Sequence, residues 1–283
     1  MFKRMMVAVI GIPALILILG VAPPGATVLL TMALCSVGAW ELMHIVADKG
    51  GEKLLRLTVL VAAVMPAIIY EDFGVDKTQH TQLAILSNLP LTATLVLAFV
   101  LLVFLSAILD YTEQNRITFS DVTAALFSGA VFPLMLSCLL LLRMEEYGRL
   151  LVFVPLGISF GSDTFALFAG LLCGKHKLTP VSPKKTVEGG VGGLFGGVLG
   201  LSLVKGIGMW LLGLPFLTWG QVVLVGITGS VVSQIGDLSF SVIKREFDVK
   251  DFGKILPGHG GVLDRFDSVT FVAPFVWLIF SIL

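Results

Sequence analysis

Asp163 and Asp237 stand where carboxylates are costly, each inside a long apolar run. An Asp at the centre of a membrane helix costs roughly 2.5–3.5 kcal/mol on insertion scales, so such a residue commonly marks a pathway or a site. Ser230, Ser233, Gln234, Asp237, Ser241 and Lys244 follow one another at intervals of 3, 1, 3, 4 and 3 residues. That spacing puts all six on one face of a helix with 3.6 residues per turn. A single polar stripe on an apolar helix lines a wet cavity or a polar interface between helices. Hydrogen bonding between helices accounts for the serines; Asp237 still needs a cation beside it.

The stretch after this stripe, KREFDVKDFGKILPGHGGVLDRFD (244–267), supplies Lys250, Asp251, His259, Asp264, Arg265 and Asp267. Pro257-Gly258-His259-Gly260-Gly261 is turn-rich and can fold backbone N–H groups around an anion. Carboxylates at the end of one helix and the start of the next can converge on a cation. Hard oxygen ligands suit magnesium, which typically takes one or two carboxylates plus substrate phosphates. Neighbouring Lys and Arg neutralise phosphate charge. The combination reads as phosphoryl or nucleotidyl transfer at a membrane surface, with a merely solvated charged loop as the plainer alternative. His259 alone reads equally as a structural turn residue. There is no H-E-x-x-H run, so zinc protease chemistry is not indicated.

The elements that must position these residues are set by composition. The 283 residues are 56% hydrophobic and 13% charged, with mean hydropathy +0.98, whereas a soluble domain carries about 25% charge. An ordinary soluble enzyme, a disordered chain and a secreted disulfide scaffold are excluded, and an all-α polytopic membrane protein remains. Net charge is zero, from 19 Lys+Arg and 19 Asp+Glu, so no bulk signature of nucleic-acid binding exists. Cys35, Cys138 and Cys173 are scattered in apolar runs and read as packing residues. Lys3 and Arg4 precede an apolar run as in a signal peptide, but no clean cleavage site follows, and the run reads as a retained first span.

A spanning helix needs roughly 20 mostly apolar residues. Nine candidate spans follow: 5–22, 27–47, 54–70, 90–109, 122–142, 150–174, 189–213, 219–244 and 266–283. With the N-terminus on one side, 15 Lys and Arg fall on that side and 4 on the other, which predicts a cytoplasmic N-terminus and Leu283 on the far face. Asp237 lies seven residues before Lys244, roughly 10 Å below the cytoplasmic end at about 1.5 Å per residue. Asp163 precedes Gly174 by eleven residues, which makes it roughly 16 Å deep. The chain divides into an N-terminal scaffold (1–145), with short connections and little polar content, and a C-terminal catalytic region (146–283) with charged loops at 175–188 and 244–267.

Two further patterns read as packing. Gly189, Gly193 and Gly197, and likewise Gly192, Gly196 and Gly200, recur every fourth residue, forming smooth stripes where another backbone can approach, within the chain or in a homodimer. Gly157-Ile158-Ser159-Phe160-Gly161 fits the G-x-S-x-G of hydrolases, but that motif needs a strand-to-helix elbow and here lies inside a span.

The run from Ser241 to Asp267 resembles the signature of the CTP:phosphatidate cytidylyltransferase (CDP-diacylglycerol synthase) family. Ser241, Lys244-Arg245, Lys250-Asp251, Gly253, Leu256-Pro257, His259-Gly260-Gly261, Asp264-Arg265 and Asp267 all match. Gly236-Asp237-Leu238 and Ser182-Pro183-Lys184-Lys185-Thr186, followed by Glu188-Gly189, are also similar. Val187 stands where the family often has Trp, and Phe240 where an acidic residue often precedes the Ser. After Asp163 the family often shows Tyr and a basic residue, in place of Leu167, Phe168, Gly170 and Leu171 here.

The resemblance implies conversion of CTP and phosphatidic acid to CDP-diacylglycerol and pyrophosphate, in a multi-pass bacterial inner-membrane enzyme with cytoplasmic catalytic loops. It implies that Asp237 and Asp264 hold Mg2+, as one cation or in a two-cation site. Lys244, Arg245, Lys250 and Arg265 would contact the triphosphate or lipid phosphate, with Lys244 and Arg265 closest to the chemistry. Ser182, Lys184, Lys185 and Thr186 would shape a substrate pocket with Ser241 and Asp163, while Asp251, His259 and Asp267 would orient the loop or bind directly. The competing readings are a cation or lipid transporter, and a membrane kinase or cytidylyltransferase acting on another lipid, such as a polyprenol or an ether lipid.

Overall fold

A computed structural model describes residues 9, 11–47, 51–74, 90–111, 116–213, 216–255 and 260–282. Nine helices run through them: α1 (Gly11–Val21), α2 (Pro24–Val46), α3 (Glu52–Gly74), α4 (Leu91–Leu109), α5 (Phe119–Met144), α6 (Gly148–Cys173), α7 (Val187–Leu212), α8 (Trp219–Glu246) and α9 (Leu263–Ile282). They correspond in order to the nine expected spans. Eight are long and apolar enough to cross a membrane; α1 is shorter, and residues 1–8, where its expected span begins, lie outside the described residues. Lys177 and Thr186 form an isolated antiparallel bridge.

Local chemistry marks the helix boundaries. Pro24 opens α2 at a position where its missing N–H does no harm. Thr118 with Asp121 and Thr218 with Gln221 form capping boxes at the starts of α5 and α8. Asp72, near the end of α3, accepts from the Leu91 and Thr92 N–H groups and so caps α4. Gly213 ends α7 in the left-handed region (φ 65°).

Side-chain ties assign the helix ends to two faces. Lys53 at the start of α3 pairs with Asp110 after α4. At the opposite end, buried Arg143 of α5 donates to the Ala22 carbonyl at 2.9 Å. Lys205, also buried, donates to the Leu217 carbonyl and stands 5.2 Å from the Trp219 ring centroid. The charged segments 175–186, 247–255 and 260–262 therefore share the face of Lys53 and Asp110.

One apolar core joins the two halves of the chain: Leu42, Phe99, Phe132 and Leu136 pack in the same cluster as Phe240, Phe252, Leu263 and Val269. The glycine stripes lie within the chain. A Cβ at Gly200 would collide with the Gly157 carbonyl, and one at Gly161 with the Gly196 carbonyl, so α6 and α7 meet backbone to backbone. Gly197 turns instead toward α8, where a Cβ would lie 2.7 Å from the Gly226 oxygen. The two glycines of the G-x-S-x-G run thus serve this seam, and Ser159 is fully buried inside α6.

Candidate active site

The stripe on α8 divides in two. In its deeper part the Ser230 hydroxyl donates to the Gly193 carbonyl (2.8 Å) and lies 2.7 Å from the Ser162 hydroxyl. Gln234 Nε2 donates to the Gly190 carbonyl at 3.1 Å. The buried Ser233 hydroxyl has no hydrogen-bond partner among the described residues. Hydrogen bonding between helices therefore accounts for Ser230 and Gln234 in this part of the stripe.

The part nearer the loops is charged. Asp237 Oδ2 pairs with Lys185, and its Oδ1 accepts from the Ser241 hydroxyl at 3.4 Å. Lys244 Nζ donates to Asp264 Oδ1 at 2.9 Å and stands 5.3 Å from the Phe252 ring centroid. Asp163 on α6 and Asp267 on α9 both lie within electrostatic range of Asp237. Lys185 and Arg265 act on Asp163, and Lys244 acts on Asp267. Three helices thus direct carboxylates into one region, with lysines and an arginine among them. Asp163 is exposed, Asp237 partly buried and Asp267 buried, its Oδ1 accepting from the Ser268 N–H at 2.7 Å.

Loop 175–186 is folded so as to present Lys185. Leu178 N–H donates to the Lys185 carbonyl (3.0 Å), and Val187 N–H to the His176 carbonyl (2.9 Å). Glu188 anchors the base by accepting from the Lys175 and His176 N–H groups, with the His176 ring 2.6 Å away. The Ser182 carbonyl accepts from the Lys185 N–H at 3.0 Å, closing a turn with Lys184 exposed. Thr186 caps α7, its Oγ1 accepting from the Gly189 N–H at 3.1 Å. Exposed Arg245 ties the two loops together by donating to the Val181 (3.3 Å) and Val249 (3.4 Å) carbonyls. Lys250 and Asp251 are exposed, and Asp251 lies beside Gly260. His259 lies outside the described residues.

Of the turn at 257–261 expected to fold around an anion, residues 257–259 lie outside the described residues. Gly261 N–H donates to Asp264 Oδ2 (3.0 Å), as does the Phe252 N–H (2.8 Å). Val262 and Leu263 N–H groups donate to the two carboxylate oxygens of Glu41, at 3.0 and 2.9 Å. A helix start leaves orphan N–H groups, and here carboxylates of the chain itself answer them. Glu41 is the residue that the sequence reading missed. It sits fully buried on α2, in the half read as scaffold. The cost of a carboxylate in a span, which singled out Asp163 and Asp237, applied to it equally as the one acidic residue of α2.

Among the described residues no three His, Cys, Asp or Glu side chains form a ready-made metal cage. The donor chemistry nonetheless fits magnesium: hard carboxylate oxygens, few in number, beside cationic groups that can hold phosphates to complete the shell. Asp237 and Asp264 each have an ammonium partner at present, Lys185 and Lys244.

A family model described as "Cytidylyltransferase family" matches residues 2–283. The chain belongs to the cytidylyltransferase family. A protein of Bacillus subtilis (strain 168) named phosphatidate cytidylyltransferase is 32% identical over 261 residues, covering 90% of this chain and 88% of its own length. One of the same name from Staphylococcus epidermidis (strain RP62A) is 38% identical over 223 residues, 78% of each chain. A third, from Staphylococcus aureus (strain COL), is 40% identical over 173 residues, 59% of this chain and 63% of its own. As a cytidylyltransferase the chain is an enzyme that acts on a triphosphate, and the mixture of ammonium, guanidinium and carboxylate groups at one end of α6, α8 and α9 suits such a substrate. The departure at Phe240 has a structural reason. Its ring is fully buried, edge-on to Phe252 and Phe271 with centroids 5.8 and 6.2 Å away. It faces the core of this cytidylyltransferase, where an acidic side chain would have to be desolvated.

Proposed function

We propose that this enzyme transfers the cytidylyl group of CTP to phosphatidate, giving CDP-diacylglycerol and pyrophosphate, at the cytoplasmic face of a bacterial membrane. Its family and the printed names of its relatives support the substrates. The observation that carries the reading is the pair between Lys185 and Asp237. It brings the loop at 175–188 onto the intramembrane carboxylate of α8, so both charged loops serve one region. The 15-to-4 distribution of Lys and Arg supports placing that face in the cytoplasm, where CTP is found.

The chemistry is a displacement at phosphorus. A phosphate oxygen of phosphatidate attacks the α-phosphorus of CTP, the bond to the β-phosphate breaks, and pyrophosphate leaves with the electron pair. Lys185, Lys244 and Arg265 hold the negative charges of triphosphate and lipid phosphate close together, which water would otherwise keep apart. Asp163 and Asp267 keep those cations oriented. Asp237 and Asp264 would hold magnesium by exchanging their lysines, which would then be free for phosphate. When bound, the metal supplies charge neutralisation at the reacting phosphates. Ser241 fixes the rotamer of Asp237, and Arg245 fixes the loops. A lipid can reach a site near the head-group layer sideways while nucleotide arrives from water.

Purified protein incubated with labelled CTP, magnesium and phosphatidate tests the reading. Labelled CDP-lipid with released pyrophosphate is expected. Labelled lipid phosphate would establish a kinase instead, and unchanged CTP with every lipid offered would favour transport.

A further inference from the structure

We propose that Glu41 is a positioning residue for cytidylyl transfer: from the N-terminal half of the chain it holds the start of α9, and with it Asp264, Arg265 and Asp267, in reacting register. This inference rests on the function proposed above and goes beyond it by assigning a role to α2.

Four backbone N–H groups, those of Phe252, Gly261, Val262 and Leu263, are tied by two carboxylates. Asp264 takes the first two and Glu41 the last two. The acids lie within electrostatic range of one another, an arrangement that the positive end of the α9 dipole and Lys244 make tolerable. The bracket therefore joins α2, the segment after α8, and the first turn of α9. Its fit is close. A Cβ at Gly261 would lie 2.5 Å from both Glu41 oxygens, and one at Gly253 would also strike that carboxylate. Only glycine leaves room there for the carboxylate to reach the N–H groups behind it.

The consequence follows from helix geometry. Asp264, Arg265 and Asp267 share the first turns of α9, so a small shift or rotation of that start moves all three relative to Asp237. Productive sites need geometry within about 0.5 Å and 10–20°, and a displacement of 1 Å can lower turnover by about 100-fold. Glu41 does not reach substrate in this role; it acts through the backbone.

Glu41→Gln tests this. The amide keeps one acceptor oxygen but turns an NH2 toward a backbone N–H, leaving that donor without a partner. The expected result is a kcat lower by about 10- to 100-fold with KM for CTP within about threefold. Faster amide hydrogen exchange confined to Phe252 and Gly261–Leu263 should accompany it, while α6 and α7 amides stay as protected as in the wild type. Gly261→Ala, which crowds the carboxylate without removing it, should reproduce both effects and provides a second route if Glu41→Gln folds poorly. Glu41→Gln with kcat within twofold of wild type overturns the proposal. So does a loss of activity that only tracks the folded fraction, with exchange raised throughout the protein. If the wild type fails to convert CTP and phosphatidate, the function reading falls, and the local exchange pattern still decides whether Glu41 holds the loop.

Discussion

Between Ser230 and Gln234, α8 turns neutral side chains toward the backbone of α7; between Asp237 and Lys244 it turns charges toward three other elements. Ser230 and Gln234 of the neutral part are satisfied locally. The glycines of α7 let α8 come close enough for the Gly190 and Gly193 carbonyls to accept directly, and no water is needed. The charged part has no such solution within one helix pair. It takes Lys185 from a loop, Asp264 and Asp267 from α9 and Asp163 from α6. Polar residues alone in a membrane helix therefore do not define a site; those whose counter-charges must come from loops do.

The largest expected effect breaks the charged part. Asp237→Asn keeps the shape and the Ser241 contact but removes the charge that faces Lys185. Cytidylyl transfer should fall by at least about 100-fold, with the thermal midpoint in detergent close to wild type because Asp237 is partly open to solvent. Full turnover in this variant would refute the assignment. Asp264→Asn should also remove activity, and it should lower the thermal midpoint as well, since its carboxylate is almost fully buried and holds both Lys244 and two backbone N–H groups.

That contrast also marks what was legible in the sequence. Long apolar runs announce the helices, because a bilayer leaves the backbone few alternatives. The intervals between Ser230 and Lys244 by themselves place the stripe on one face of a helix. The division of that stripe was not legible, because it depends on which neighbour each residue meets: Ser230 meets a glycine carbonyl, Asp237 a lysine some fifty residues earlier. Glu41 was harder still. Its partners Val262 and Leu263 are more than two hundred residues away, and they are backbone groups, which carry no side-chain signature. The glycines around His259 suggested an anion nest; that the anion answering Gly261 is Asp264 could be seen only once the turn was folded.

A mid-sized effect comes from the seam that makes the neutral part possible. Gly200→Ala adds a methyl where the Gly157 carbonyl already sits. Overpacking of this kind costs roughly 1–3 kcal/mol, to be seen as a lower thermal midpoint in detergent. KM for CTP should stay unchanged, because Gly157 and Gly200 meet deeper than the charged cluster. A change in KM without a change in stability would mean that the seam shapes the nucleotide site directly.

Smallest of all are the single hydroxyls. Ser230→Ala removes a bond to Gly193 and a contact with Ser162, and polar contacts between membrane helices average about 0.6 kcal/mol. Turnover within about twofold of wild type is expected, with a slight fall in thermal midpoint. Ser233 sharpens the point further. Its hydroxyl is buried on the same face with no partner among the described residues, and an unanswered buried polar group costs roughly 1–3 kcal/mol. Ser233→Ala removes that group and should leave the thermal midpoint unchanged or raise it, again with turnover intact. A marked loss of activity in Ser233→Ala would show that its hydroxyl meets substrate or a bound water, and the boundary between the neutral and charged parts of α8 would then move one turn deeper into the membrane.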